Sequence, residues 1–220
     1  MLDASTLKFL QQLSKHNSTE WFDANRPAYE LARANFIAQV DLVIKGISTF
    51  DAQFELLQAK QCVFRINRDV RFSKNKQPYK NNMSAYFNKD GKKGVGAGYY
   101  FHIEPGNSFI AAGVWMPEPP FLAAIRQEVD YNFAEWKKLT STSGFKKQFV
   151  NGLDKSDTLV RPPKHYEEDN PAIEVLKLKS FVARKPFNDN EVLEKDFSKS
   201  VTTAFKTLQP MVQFLNRAMP

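Results

Sequence analysis

Cysteine is almost missing from this chain: Cys62 is the only one in 220 residues. No intrachain disulfide can form, and a reducing, cytoplasmic setting is the expectation. Histidine is also scarce, with His16, His102 and His165 far apart in sequence. Three scattered histidines and one cysteine do not make the clustered nitrogen and sulfur set that zinc requires, so no metal site is assigned. No apolar run approaches the ~20 residues of a membrane span. The opening MLDASTLKFLQQLSKH is amphipathic and lacks the apolar core of a signal peptide, so no membrane partner is expected. Repeats at solenoid or propeller spacing are absent. Asn17-Ser18-Thr19 spells a glycosylation sequon, but it reads better as a helix cap.

What remains is the composition of an ordinary globular protein, 42% hydrophobic and 25% charged, with 19 phenylalanines to fill a core. A single domain over 1–220 can bury most of its apolar surface without staples. The net charge is +7, and it is concentrated. Residues 60–93 hold ten of the 31 basic side chains and two acids, Asp69 and Asp90. The rest of the chain has 21 basic groups against 22 acidic ones. A local patch of this kind suits an anionic partner better than a general solubility surface does.

The first ~50 residues carry helical periodicity. Leu7, Leu10 and Leu13 follow a candidate cap at Ser5, and Asn17 with Glu20 resembles a capping box. Pro27 suits a first helical turn, and Phe36, Val40, Val43, Ile44 and Ile47 mark the buried stripe of a long helix. The period then changes. CVFRI (62–66), MSAYF (83–87), YYFHIE (99–104), FIAAGVW (109–115) and FVARKPF (181–187) read as strands. The glycines of GKKGVGAG (91–98) form a hairpin link, since a phosphate loop would precede a helix. Helices resume after Pro119-Pro120 and again from Asp196, where Pro210 predicts a break or kink. The fold class is α+β: a mainly antiparallel sheet in the middle of the chain, packed with N-terminal and C-terminal helices.

FRINRDVRFSKNKQPYKNN (64–82) carries six basic residues and one acid. A strand continuing from Cys62 would place Arg65, Asn67, Asp69 and Arg71 on one face. Arg68 would then lie on the apolar side, where an unpaired charge is costly, so either the strand bends near Asn67 or Arg68 meets a carboxylate. Guanidinium groups grip carboxylates and phosphates in a two-pronged way that lysine cannot match. Arg65, Arg68 and Arg71 are therefore candidate ligand-binding residues, with Lys76, Tyr79 and Lys80 beside them. Asp69 can orient an arginine or act as an acid or base. YYFHIE as a strand puts Tyr100, His102 and Glu104 on one face, and a histidine beside a carboxylate is the raw material of proton transfer. Cys62 reads as a buried, inert thiol, and His16 and His165 as surface residues.

The spacing Arg65, Arg68-Asp69, Arg71-Phe72, then Lys76 and Pro78-Tyr79-Lys80, resembles the signature of the domain of unknown function 2461 family. Glu20-Trp21-Phe22, YYFHIEPG (99–106), GVWMPEP (113–119) and PAIEVLKLKSF (171–181) resemble it too, so the likeness covers nearly the whole chain. It implies a bacterial protein of about this length and carries no activity with it. It adds Lys179 to the ligand-binding candidates. At one place the chain departs from the pattern, with Asn170 where histidine precedes the proline. That argues against a catalytic side chain there.

The leading reading is a small anionic or phosphorylated ligand bound by an arginine-rich pocket over the sheet, with a reaction left open. The alternatives are a nucleic-acid or protein adaptor using the basic surface, and an arginine–carboxylate network that is purely structural. Cofactor and oligomeric state are not legible in the sequence.

Overall fold

In a computed structural model, residues 1–219 are described. The chain opens with three helices, α1 (Ala4–Lys15), α2 (Thr19–Ala24) and α3 (Arg26–Ser48). The cap of α1 is Asp3 rather than Ser5: the Asp3 carboxylate accepts from the Ser5 amide at 2.8 Å. Ser18, not Asn17, caps α2 by accepting from the Trp21 amide at 3.2 Å. Asn17 is thereby freed for a longer reach, described below. Pro27 falls in the first turn of α3 as its fixed φ favours, and the predicted stripe of Phe36, Val40, Val43, Ile44 and Ile47 is buried.

CVFRI is not a strand. Ala59–Cys62 forms a short helix, α4, closed by a capping box between Gln58 and Gln61. Val63 pairs with Ala85 only as an isolated bridge. Four strands follow: β1 (Met83–Phe87), β2 (Gly98–Ile103), β3 (Ser108–Val114) and, much later, β4 (Phe181–Phe187). They form one antiparallel sheet in the order β1-β2-β3-β4. These four match the sequence reading to within a residue at most ends. Between β3 and β4 lie α5 (Pro119–Tyr131), α6 (Phe133–Ser141), α7 (Ser143–Gln148) and α8 (Ile173–Leu176); α9 (Asp189–Val192) and α10 (Phe197–Arg217) complete the chain. Helix α10 runs through Pro210 instead of stopping. Pro210 lies on the exposed side, as does Lys206 one turn earlier, whose carbonyl loses its amide partner to the proline. With helices at both ends and the sheet between, the protein is α+β.

The chain divides into two compact units. The first is Met1–Gly94, Tyr100–Ile110 and Pro186–Thr203; the second is Val95–Tyr99, Ala111–Lys185 and Ala204–Pro220. In the first unit Phe101 stacks on Phe36 at 5.6 Å and meets Phe197 at 5.9 Å, and Phe187 meets Phe197 edge-on. In the second, Trp136 packs against Phe181 and Phe214, and Arg126 donates to the carbonyls of Leu176 and Leu178. Both cores are thus aromatic, as the phenylalanine count predicts. Among the described residues no helix is long and apolar enough to cross a membrane.

Candidate functional site

The basic segment folds as an irregular hairpin within the first unit. Its base is held by Phe64 N–H to the Ser84 carbonyl (2.9 Å), Lys80 N–H to Ile66 (2.8 Å) and Arg68 N–H to Pro78 (2.8 Å). Asn67 and Tyr79 face each other between these bonds, so the amide and carbonyl of Tyr79 point outward. The Asn17 side chain takes both: its Nδ2 donates to the Tyr79 carbonyl and its Oδ1 accepts from the Tyr79 amide, each at 3.0 Å. Nδ2 also donates to Asn81 Oδ1 at 3.0 Å. A primary amide here does what a third strand's peptide group would do. The Tyr79 ring stacks on Phe22 at 4.0 Å and is buried, so it packs the hairpin onto α2.

Beyond Asn67 the strand alternation is lost. Ile66 is buried, but Phe72, six residues on, is 96% exposed. Asp69 and Arg71 form a two-pronged pair on the outside, with Nε at 3.0 Å and Nη2 at 2.7 Å from the carboxylate oxygens. The Arg71 hydrogen bond is the chief reason the Asp69 carboxyl titrates below its usual value. Arg68 is half-buried, and its partners are neutral: Nη1 donates to the Gln77 carbonyl at 3.1 Å and Nη2 to Ser73 Oγ at 3.3 Å. Of the two outcomes open to Arg68, the bend near Asn67 is the one found: the pairing ends at Asn67, and loop oxygens rather than a carboxylate take its donors. Lys76 does similar work, with Nζ 3.1 Å from the Val70 carbonyl. These two cations stitch the loop.

Arg65 and Lys80 are different. Arg65 is exposed and has no ion-pair partner among the described residues. The half-buried Lys80 lies over the Phe64 ring, 5.4 Å from its centroid. Its ammonium titrates below the ordinary lysine value, first because burial disfavours the charge and then because Arg65 repels it. Arg65 thus acts on Lys80 and, more weakly, on the Asp69 carboxyl, whose titration it helps to lower, but among the described residues neither Arg65 nor Lys80 forms an ion pair.

Phe64 also touches the row on β2, its ring 6.5 Å from that of Tyr100. The predicted parity holds: Phe101 and Ile103 enter the core while Tyr100, His102 and Glu104 line up on the opposite face. Tyr100 Oη lies 3.1 Å from His102 Nδ1, and His102 Nε2 lies 3.1 Å from Glu104 Oε2. Glu104 is fixed by the β2–β3 turn: Asn107 Nδ2 donates to Oε2 at 2.8 Å, and Ser108 Oγ accepts from the Glu104 amide. Phe109 stacks on the imidazole at 4.5 Å. The His102 side chain is 9% exposed and that of Glu104 is 27% exposed.

Beside Phe64 a shallow crevice of about 10 Å³, room for a single water, opens to solvent, lined by Tyr29, Arg33, Phe36, Phe64, Ile66 and Asn82. Arg33 and Tyr29 were not singled out from the sequence. Their spacing of four on α3, which puts both on one face, is the signal that could have found them. Asn17 was read only as a cap. Lys179 belongs to the second unit and pairs with Asp157 at 2.6 Å, so it is no part of this hairpin. His16 and His165 are exposed and Cys62 is buried. Burial pushes the Cys62 thiol up to about 12, as an inert thiol requires. Among the described residues no group of three or more His, Cys, Asp and Glu could hold a metal ion.

The sequence pattern described as conserved hypothetical protein, domain of unknown function 2461, matches residues 5–214. No curated protein and no solved structure matches the chain.

Proposed function

Because the chain belongs to the domain of unknown function 2461 family, which is described only as conserved hypothetical proteins, we propose a function from the geometry: binding of a small anionic, phosphorylated ligand at the hairpin base. The observation that supports it is the Arg65–Lys80 pair. Like charges held together cost free energy, and a bound anion relieves that cost. Arg71 is paired with Asp69, and Arg68 and Lys76 are bound to loop oxygens, so of the segment's candidate cations Arg65 and Lys80 are the ones left for a ligand. Phe64 supplies an apolar wall, and the Tyr100–His102–Glu104 row lies beyond it. A saturated structural network is disfavoured, since of the three arginines Arg71 alone meets a carboxylate among the described residues.

The test is thermal unfolding with inorganic phosphate. The parent protein gains stability as phosphate rises, and Arg65→Ala and Lys80→Ala lose most of that gain while still folding. A parent protein whose melting temperature ignores phosphate removes this reading.

A second reading has its own observation. Phe72 is almost fully exposed at the hairpin tip, with the Arg71 guanidinium 5.8 Å from its ring centre. An aromatic among cations suits a base stacked out of a single strand. If that reading holds, affinity for a single-stranded oligonucleotide falls with salt at a log–log slope of roughly −0.7 per phosphate contacted. It also falls in Phe72→Ala. Undetectable binding at low salt discards it.

A further inference from the structure

The Tyr100–His102–Glu104 row has the connectivity of a nucleophile, a base and an orienting carboxylate. A carboxylate only accepts hydrogen bonds, so its 3.1 Å contact places the imidazole proton on Nε2. Nδ1 is then left with a lone pair aimed at the Tyr100 hydroxyl, 3.1 Å away. The ring cannot turn to spoil this arrangement, because Phe109 stacks on it and Glu104 is itself held by Asn107. A tyrosine hydroxyl that met histidine only by strand parity would not need the second and third supports.

We propose that Tyr100 is a nucleophile that accepts a phosphoryl group, with His102 as its general base and Glu104 as a positioning residue. The substrate class, a phosphate ester, rests on the anion-site reading above; the relay itself does not. In the step, the Tyr100 oxygen bonds to phosphorus while the bond from phosphorus to the ester oxygen breaks. The phenol proton passes to His102 Nδ1, and the imidazolium then hands it to the departing alkoxide. The products are an alcohol and a phosphotyrosyl group, with no other reactant required.

The experiment uses the full chain and benzenesulfonyl fluoride, which tyrosinate oxygen attacks with loss of fluoride. Modification at each tyrosine is followed by mass spectrometry. Tyr131 is the internal reference, since it is 74% exposed and lies on α5, outside the row. Tyr100 is expected to react roughly 10²-fold faster than Tyr131, the usual worth of a positioned general base. His102→Gln should bring Tyr100 to or below the Tyr131 rate, and Glu104→Gln should give an intermediate rate. A Tyr100 that reacts no faster than Tyr131 in the parent protein overturns the relay, whatever the phosphate titration shows, and this comparison needs no variant to fold. A second arm compares fluorosulfonyl benzoate with aminoethyl benzenesulfonyl fluoride. Preference of Tyr100 for the carboxylate-bearing reagent supports an anionic substrate. Equal rates, or preference for the ammonium, overturn the phosphate-ester assignment.

Discussion

Arg68 shows what the hairpin asks of a cation. Its donors end on the Gln77 carbonyl and the Ser73 hydroxyl, neither of them charged. Stranding a buried carboxylate costs ~3–5 kcal/mol, whereas losing hydrogen bonds to neutral acceptors costs about 1–2 kcal/mol. Arg68→Ala should therefore lower the melting temperature by roughly 2–8 °C and leave a cooperative transition. Failure to fold would point to a hidden acid partner. Cys62 sets a different limit. Its thiol is pushed up to about 12 in the folded chain, against ~8.5 when unfolded. Burial pushes the Tyr86 hydroxyl up to about 12 as well, against ~10. Between those values the unfolded chain sheds protons that the folded chain keeps. Stability is then fully present below pH ~8.5 and falls as pH climbs toward 12. Urea unfolding at pH about 8 and about 10.5 measures this, and the midpoint should be lower at the higher pH.

Among the elements, β3 is held to β4 by an omission. Gly113 has φ +126°, and a Cβ there would run into the Phe181 carbonyl. Gly113→Ala should cost about 2–5 kcal/mol, from left-handed strain and overpacking together. Gly106, at φ +72° with open space around it, is the control. Gly106→Ala should cost only ~1–2 kcal/mol. Urea midpoints with unchanged slopes report both. The four sheet strands were legible because each is a short run of apolar and aromatic residues bounded by turn formers, and Tyr100, His102 and Glu104 could be aligned by parity alone. CVFRI failed by the same rule. Its alternation is present, but Gln58 and Gln61 cap a helical turn over its start, and past Asn67 the ladder has no partner strand. The hairpin's edge is satisfied by Asn17, and nothing in a local window shows a bond across so many residues. Arg33 stayed hidden for a related reason: on a helix read for its apolar stripe, a cation on the flank looks solvated.

For the molecule as a whole, charge is distributed unevenly along the chain. The excess of basic groups sits in residues 60–93, all of them within the first unit. Long-range attraction of anions is therefore a property of one region rather than of net charge, and it should fade once salt shortens the Debye length to ~8 Å. The same region is rich in the residues that trypsin cuts after, from Arg65 to Lys80. What protects it is the Asn17 amide, which reaches Tyr79 across 62 positions of sequence. Asn17→Ala should raise the open population of the hairpin roughly 5–30-fold, for a loss of ~1–2 kcal/mol. Limited trypsin digestion should then nick between Arg65 and Lys80 first, at a rate that tracks that population. Equal nicking of parent and variant would show that the clamp is idle. In the nascent chain the order is fixed the other way round. The α1–α2 corner leaves the ribosome long before Tyr79 does, so the hairpin meets a finished clasp, and its lifetime against proteases is set by a residue made before any of its own.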